Sequence, residues 1–197
     1  GFGWTKNHAA SFATNDWILI IDSDEVVDAE LLAELKNKKL YEKTVYKLNF
    51  KAFYKDIQVK HCGWNNQKIK RLYNKNVTSY NSNDVHEDII TDSLKIEELK
   101  GNVEHYSYHT ISEFIIKADR YSTLFATNNV GKKSSSPVKA FFNGIYSFFR
   151  TYTLKQGFRD GYVGLVIAFS HMVTNFYKYI KLYEKNLELK NRYNDKK

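Results

Sequence analysis

The sequence has almost no cysteine, proline or methionine, with one residue of each among 197. The single cysteine, Cys62, excludes an internal disulfide and a cysteine-rich metal site. The sequence also has only nine glycines. Since glycine and proline are the residues that most often interrupt helices, long helices are expected. The longest apolar run, residues 161–173, falls short of the ~18 residues that a membrane-spanning helix needs.

Positive charge is concentrated near the end of the chain. The formal net charge is +8, and residues 138–197 hold eleven Lys and Arg against four Asp and Glu. This excess, on segments rich in Phe and Tyr, is typical of contact with an anionic partner, and a peripheral membrane contact through residues 138–197 is one interpretation. Alternatively, the aromatic side chains pack on the rest of the protein and the lysines are solvated. No nucleic-acid motif occurs, so nucleic acid is not an expected partner.

Hydrophobic patterning predicts an α/β protein in which strands and helices alternate first and helices follow. We predict a mixed-sheet domain over residues 1–108 and a helical region over 109–197, with a Gly/Ser/Lys linker at 131–137. The predicted strands are 17–21, 43–54, 57–59, 68–73 and one ending at 103–107. The predicted helices are 4–14, 29–38 capped by Asp28, 112–128 capped by Thr110, 141–152 and 162–183.

An acidic turn, Asp22-Ser23-Asp24-Glu25, follows the apolar strand 17–21 directly. Carboxylates this close repel one another unless a cation or solvent neutralises them. Hard oxygen ligands at this spacing suit Mg²⁺ or Mn²⁺, which often also bind substrate phosphates. The position at the carboxyl end of a strand is where open α/β sheets bind ligands. The alternative is an acidic loop that leads into the helix capped by Asp28.

Three further positions carry groups that can do chemistry. Glu87, beside His86 and a polar loop, can act as a general base, or the two can form an ordinary surface pair. His105 can be a third metal ligand, or it can simply be hydrogen-bonded. Arg71 can bind a diphosphate through two N–H groups, or it can form an ion pair with a carboxylate of the acidic turn. Alternation along residues 68–73 predicts Ile69, Arg71 and Tyr73 on one face of a strand.

Taken in order, these motifs resemble the family 2 glycosyltransferases of GT-A fold, and within them the bacterial lipopolysaccharide-core glucosyltransferase branch. The resemblance covers nearly the whole chain. Its motifs are Lys6-Asn7, the run from Asn15 through Glu25, Arg71-Leu72-Tyr73, Val85-His86-Glu87, His105-Tyr106-Ser107, and Lys155 through Gly161 followed by Gly164.

The resemblance implies metal-dependent transfer of a sugar, with inversion, from a nucleotide-sugar to a glycan or lipid-linked acceptor. It implies the following roles: Asp22, Lys6, Asn7 and Arg71 on the donor side, Asp24 and His105 as ligands of Mg²⁺ or Mn²⁺, Glu87 as the base, and Trp64 and His86 on the acceptor side. It also implies that the family's opening strands, which hold the nucleotide base, belong before Gly1, so that the GT-A sheet is only partly contained in this sequence.

The protein is therefore expected to be cytoplasmic, and peripheral on the inner face of the cytoplasmic membrane if residues 138–197 bind lipid. Two alternatives remain open from the sequence. One is a non-catalytic basic binding module, and the other is an inactive fragment of a glycosyltransferase. Metal binding at Asp22 and Asp24 would distinguish a catalytic site from a nucleic-acid module, whose affinity would fall steeply with salt.

Overall fold

The computed structural model describes residues 2–64, 67–81 and 87–194 of the chain. The described residues form two compact units, one drawn from 1–52 and 66–107 and the other from 53–65 and 108–197. The predicted α/β class is confirmed, because a mixed sheet is followed by a C-terminal helical region. About 50% of the chain is helical and 24% lies in strands.

Helices and strands follow the predicted order, with one additional short strand. The helices are α1 (Phe2–Ser11), α2 (Ala29–Asn37), α3 (Ile111–Asn129), α4 (Pro137–Phe149) and α5 (Gly161–Asn194). The strands are β1 (Trp17–Leu19), β2 (Glu25–Val27), β3 (Thr44–Tyr54), β4 (Ile57–Val59), β5 (Gln67–Asn74) and β6 (Lys95–Tyr108). Both predicted caps are confirmed: Asp28 accepts a hydrogen bond from the Leu31 amide, and Thr110 accepts one from the Glu113 amide.

The sheet runs in the order β1-β5-β3-β6-β2, and β4 pairs with β3 outside this path. β5 is antiparallel to both β1 and β3, and β2 is antiparallel to β6. Side chains of β1 alternate between two buried clusters, since Trp17 and Leu19 pack with Leu31 of α2, whereas Ile18 packs with Ala10 of α1. The prediction that this apolar strand is covered on both faces is confirmed.

Three boundaries differ from the prediction. β1 ends at Leu19 rather than Ile21, although the Ile20 amide still donates to the Arg71 carbonyl at 3.0 Å. β2 is an additional strand, which its sequence does not predict because three residues are too few to show a period of two. β6 has 14 residues and begins well before the predicted segment 103–107. Its first half is mostly exposed, so the sequence there is polar and lacks the apolar pattern by which a buried strand is recognised.

In the second unit, the segment before β5 is tied to the helical region. The His61 amide donates to Asp160 Oδ2 at 2.8 Å, and the His61 ring nitrogen Nδ1 lies 2.8 Å from Asp160 Oδ1.

α5 packs against both α3 and α4. α4 begins at Pro137, the last residue of the predicted linker, and a π-helical turn follows it over Arg150–Leu154. No helix among the described residues combines the length and the hydropathy that a membrane span requires.

His171 gives the second unit a pH-dependent stability. Burial, reinforced by Lys155 and Lys178, lowers the pKa of His171 from 6.5 to about 4, and its Nδ1 lies 2.9 Å from the Thr151 hydroxyl. Below pH 6.5 the unfolded chain gains a proton at His171 that the folded chain gains only near pH 4. The free energy of unfolding is therefore highest above pH 6.5. It falls by about 2–3 kcal/mol as the pH drops from 6.5 to about 4.

The measurement is urea unfolding at pH 7 and pH 5, followed by circular dichroism, for the wild type and for His171→Gln. The free energy of unfolding of the wild type should be lower at pH 5 than at pH 7, and we expect this difference to be much smaller in the variant. An equal difference in both proteins would show that His171 is not the group responsible.

Candidate active site

The acidic turn (residues 22–25) is a closed turn between β1 and β2. The Glu25 amide donates to the Asp22 carbonyl at 3.0 Å, and the Asp22 amide donates in return to Glu25 Oε2 at 2.9 Å. β2 begins at Glu25, whose partner across the ladder is His105 of β6. The Tyr106 amide donates to the Asp24 carbonyl at 2.9 Å. The turn is thus held at both ends, which fixes the directions of its carboxylates.

Arg71 lies at a bulge of β5. Tyr46 of β3 pairs with Leu72 and the next residue, Lys47, pairs with Lys70, so Arg71 is the extra residue between them. A bulge re-aims the side chain that it carries. The prediction of simple alternation over 68–73 is therefore wrong, because the bulge lets Ile69 and Leu72 pack into the same hydrophobic cluster.

The Arg71 guanidinium joins two carboxylates of the acidic turn. Its Nη2 lies 2.9 Å from Asp22 Oδ2 and 2.7 Å from Glu25 Oε1. Only 6% of the Arg71 side chain and 2% of the Glu25 side chain are exposed, whereas 47% of the Asp22 side chain is. The buried Glu25 carboxylate is therefore neutralised by Arg71, while Asp22 remains accessible. This is the ion pair that the sequence analysis named as the alternative role of Arg71; its donor-binding role stays a prediction.

Burial and charge act against each other in this cluster. Burial raises the pKa of Glu25, and the Asp22 amide and the charge of Arg71 offset only part of the effect. Burial alone would lower the pKa of Arg71, but the nearby Glu25 and Asp22 outweigh it and raise that pKa. Arg71 consequently stays charged. Its Nε and Nη1 atoms are buried and have no hydrogen-bond partner among the described residues.

Asp24 and His105, the two predicted metal ligands, lie side by side. His105 Nε2 is 3.3 Å from Asp24 Oδ2, and the two side chains are 32% and 41% exposed. The His105 and Phe50 rings meet nearly at right angles, with their centroids 6.4 Å apart. One carboxylate oxygen and one imidazole nitrogen therefore meet at an accessible place beside the buried ion pair.

A divalent cation at Asp24 and His105 would have to take its other ligands from a substrate and water. Among the described residues, no group of three His, Cys, Asp or Glu side chains could hold a metal ion. Asp24 and His105 would supply two ligands, and Mg²⁺ and related cations commonly combine one or two protein ligands with substrate phosphates and water.

Lys6, Asn7 and Glu87 form a second group in the same unit. Lys6 Nζ lies 3.1 Å from Glu87 Oε1 and is 5.0 Å from the centre of the Tyr80 ring. The Asn7 side chain donates to the Tyr80 carbonyl and accepts from the Tyr80 amide, both at 2.9 Å. Asn7 therefore fixes the backbone at Tyr80, a structural role that the sequence does not predict.

Gly3 allows α1 to approach this second group. A Cβ atom on Gly3 would lie 2.2 Å from the Asn81 carbonyl oxygen and 3.4 Å from the Glu87 Cβ. Any side chain there would push the helix away from the segment. The absence of a side chain at Gly3 thus keeps Lys6, one turn later on the helix, within reach of Glu87.

The two residues predicted on the acceptor side are Trp64 and His86. Trp64 belongs to the second unit, where its ring stacks on Tyr108 at 5.4 Å and lies 6.4 Å from the His171 ring. His86 lies outside the described residues. The structure accordingly brings together Asp22 with Arg71, Asp24 with His105, and Lys6 with Glu87. Glu25 is the residue whose importance the sequence analysis missed, although it stood in the acidic motif itself.

The sequence is similar to proteins named uncharacterized glycosyltransferase in Rickettsia. The proteins of Rickettsia felis and Rickettsia conorii are each 28% identical over 207 residues, which cover 97% of this chain and 72% of theirs. The Rickettsia prowazekii protein is also 28% identical, over 97% of this chain and 70% of its own. No protein-family model matches the sequence. The similarity spans nearly the whole chain and supports a glycosyltransferase.

Proposed function

We propose that the protein is an inverting, metal-dependent glycosyltransferase of family 2 and GT-A fold that moves a sugar from a nucleotide-sugar to an acceptor hydroxyl. The observation that carries this proposal is the acidic turn, which places Asp24 beside His105 at 3.3 Å while Arg71 neutralises the buried Glu25. The similarity to proteins named glycosyltransferases supports the same reaction class.

In the proposed reaction, Glu87 is the general base. Lys6 holds its Oε1 at 3.1 Å, which orients the carboxylate so that Oε2 can take the proton of the acceptor hydroxyl. The acceptor oxygen then forms a bond to the anomeric carbon of the sugar. The bond from that carbon to the diphosphate breaks, and its electron pair leaves with the nucleoside diphosphate. One displacement on one face inverts the configuration.

Asp24 and His105 would hold Mg²⁺ or Mn²⁺, which when bound neutralises the charge on the leaving diphosphate. Asp22, being half exposed, is placed to meet the donor as well, at the ribose or the metal. Arg71 acts through Asp22 as a positioning residue, because its guanidinium fixes one oxygen of that carboxylate. The acceptor that we propose is a lipopolysaccharide or another cell-surface glycan, on the resemblance described above.

Replacing Asp24 with asparagine tests the proposed metal site without measuring turnover. We expect Asp24→Asn in the full-length protein to weaken Mn²⁺ binding about tenfold to a hundredfold, because one of two protein ligands loses its charge. Electron paramagnetic resonance of free Mn²⁺ measures this directly, with and without a nucleoside diphosphate.

The matched control is Asp92→Asn, the same substitution at an exposed carboxylate of the same unit. It should bind Mn²⁺ as the wild type does. Equal Mn²⁺ affinity in the wild type and in Asp24→Asn would remove Asp24 from the proposed site and would leave the resemblance alone to support a metal.

A further inference from the structure

α4 presents its large apolar side chains to solvent and its small ones to the protein. Ala140 and Gly144 are buried, whereas Val138, Phe142 and Phe149 are 66%, 64% and 54% exposed. The exposed residues at positions 138, 142, 145 and 149 follow the spacing of one helical face, and Phe141 and Tyr146 flank it. We call these six residues the α4 stripe: Val138, Phe141, Phe142, Ile145, Tyr146 and Phe149.

The close packing of α4 on α5 explains which side faces inward. A Cβ atom on Gly144 would lie 3.1 Å from the Met172 carbonyl oxygen and 3.3 Å from the Phe176 Cβ. Only small residues fit at this distance, so the aromatic residues of α4 have to point away. An apolar groove of about 140 Å³ between the two helices, lined partly by Phe141 and Ile145, adjoins the stripe.

Isolated exposed apolar residues are ordinary, but a continuous stripe of them along a helix is typical of a surface that contacts another protein or a membrane. The chain that follows adds more such residues. Leu154, Phe158, Tyr162, Leu165 and Phe169 are each 47% exposed or more.

The charges around the stripe identify its partner. From residue 137 to residue 183 the sequence has one acidic residue, Asp160, and six basic ones: Lys139, Arg150, Lys155, Arg159, Lys178 and Lys181. The Asp160 side chain is only 5% exposed and is bound to His61. Lys139, Arg150 and Arg159 are exposed. Residues 137–183 are therefore cationic, and their one carboxylate is almost fully buried.

We propose that the α4 stripe docks on an anionic phospholipid surface, with its aromatic side chains in the headgroup region and Lys139, Arg150 and Arg159 on lipid phosphates. A second copy of the chain fits less well, because a symmetric contact through α4 would bring Lys139 and Arg150 close to the same residues of the other copy. The proposal is independent of the proposed reaction, since it concerns residues outside the candidate active site.

Vesicle co-sedimentation of the full-length protein tests this assignment. We expect binding to vesicles of phosphatidylglycerol and phosphatidylcholine, weaker binding as salt is raised, and little binding to phosphatidylcholine alone. Replacing both Phe142 and Phe149 by serine should lower the partition coefficient by about tenfold or more, because two aromatic anchors are lost. Both side chains are exposed, so the variant should fold, and circular dichroism checks that it does.

The matched control replaces Phe2 and Phe12 by serine. These two phenylalanines, at the start of α1 and directly after its end, are 62% and 75% exposed, and the control should bind vesicles as the wild type does. Light scattering after size exclusion runs in parallel. Three results would each overturn the proposal: no binding of the wild type to anionic vesicles, equal loss in both double variants, or a stripe variant that changes the oligomeric state but not vesicle binding. The last would show a protein–protein interface instead.

Discussion

Replacing Glu87 by glutamine should lower the turnover number of the full-length protein by about a hundredfold to ten-thousandfold, the usual contribution of a general base. Glutamine keeps the shape of the side chain but cannot accept a proton. Because the reaction loses its base and not its donor site, the affinity for the nucleotide-sugar should change little. Steady-state kinetics and calorimetric donor binding measure the two quantities separately.

Two further variants separate the role of Glu87 as a base from its ion pair with Lys6. Lys6→Met also breaks that pair but leaves the base in place. It should lower turnover less than Glu87→Gln does, because the carboxylate loses only its orienting contact, and it should raise the KM for the donor, since Lys6 is predicted on the donor side. Glu98→Gln alters an exposed carboxylate paired with Lys68 and should leave turnover unchanged. Near-normal turnover in Glu87→Gln would exclude Glu87 as the base, whatever the other variants show.

Replacing Arg71 by methionine should destabilise the protein by about 3–5 kcal/mol, since removing one partner of a buried ion pair leaves the other charge uncompensated. The stranded group is Glu25, whose side chain is only 2% exposed. The double variant Arg71→Met with Glu25→Gln should recover part of this loss, because no unpaired buried charge remains. Urea unfolding of the two single variants, the double variant and the wild type completes the cycle.

Lys68→Met is the matched control for Arg71→Met. Lys68 lies on the same strand and also pairs with a glutamate, but its side chain is 46% exposed. Exposed ion pairs contribute about 0–1 kcal/mol, so this variant should unfold almost as the wild type does. If Arg71→Met cost as little as Lys68→Met, the buried ion pair would not be what stabilises the acidic turn.

The parts of the fold that the sequence predicted are those governed by local chemistry. The apolar run at 17–21 required burial on two faces, and the structure buries it on both. Asp28 and Thr110 were recognisable as caps because each precedes a helical pattern and carries a side-chain oxygen. The acidic motif was visible for the same reason, since three carboxylates in four residues stand out in any sequence.

The features that escaped prediction depend on contacts between distant residues. The bulge at Arg71 arises from the register between β3 and β5, and no residue type in β5 predicts it. β2 is a strand only because β6 pairs with it, which also sets Glu25 opposite His105. The aromatic pattern of α4 suggested a face of some kind, but periodicity cannot tell an inward face from an outward one; the packing at Gly144 decides it.

The most direct test of sugar transfer is nucleoside diphosphate release by the full-length protein, measured over a panel of nucleotide-sugars with Mn²⁺ present. We expect at least one donor to be turned over, by transfer to a glycan acceptor or by slower transfer to water. Removal of the metal with a chelator should abolish that turnover, and the substitution Glu87→Gln should lower it by about a hundredfold or more. Failure to bind or turn over any nucleotide-sugar, in a folded protein supplied with Mn²⁺, would contradict the proposed function.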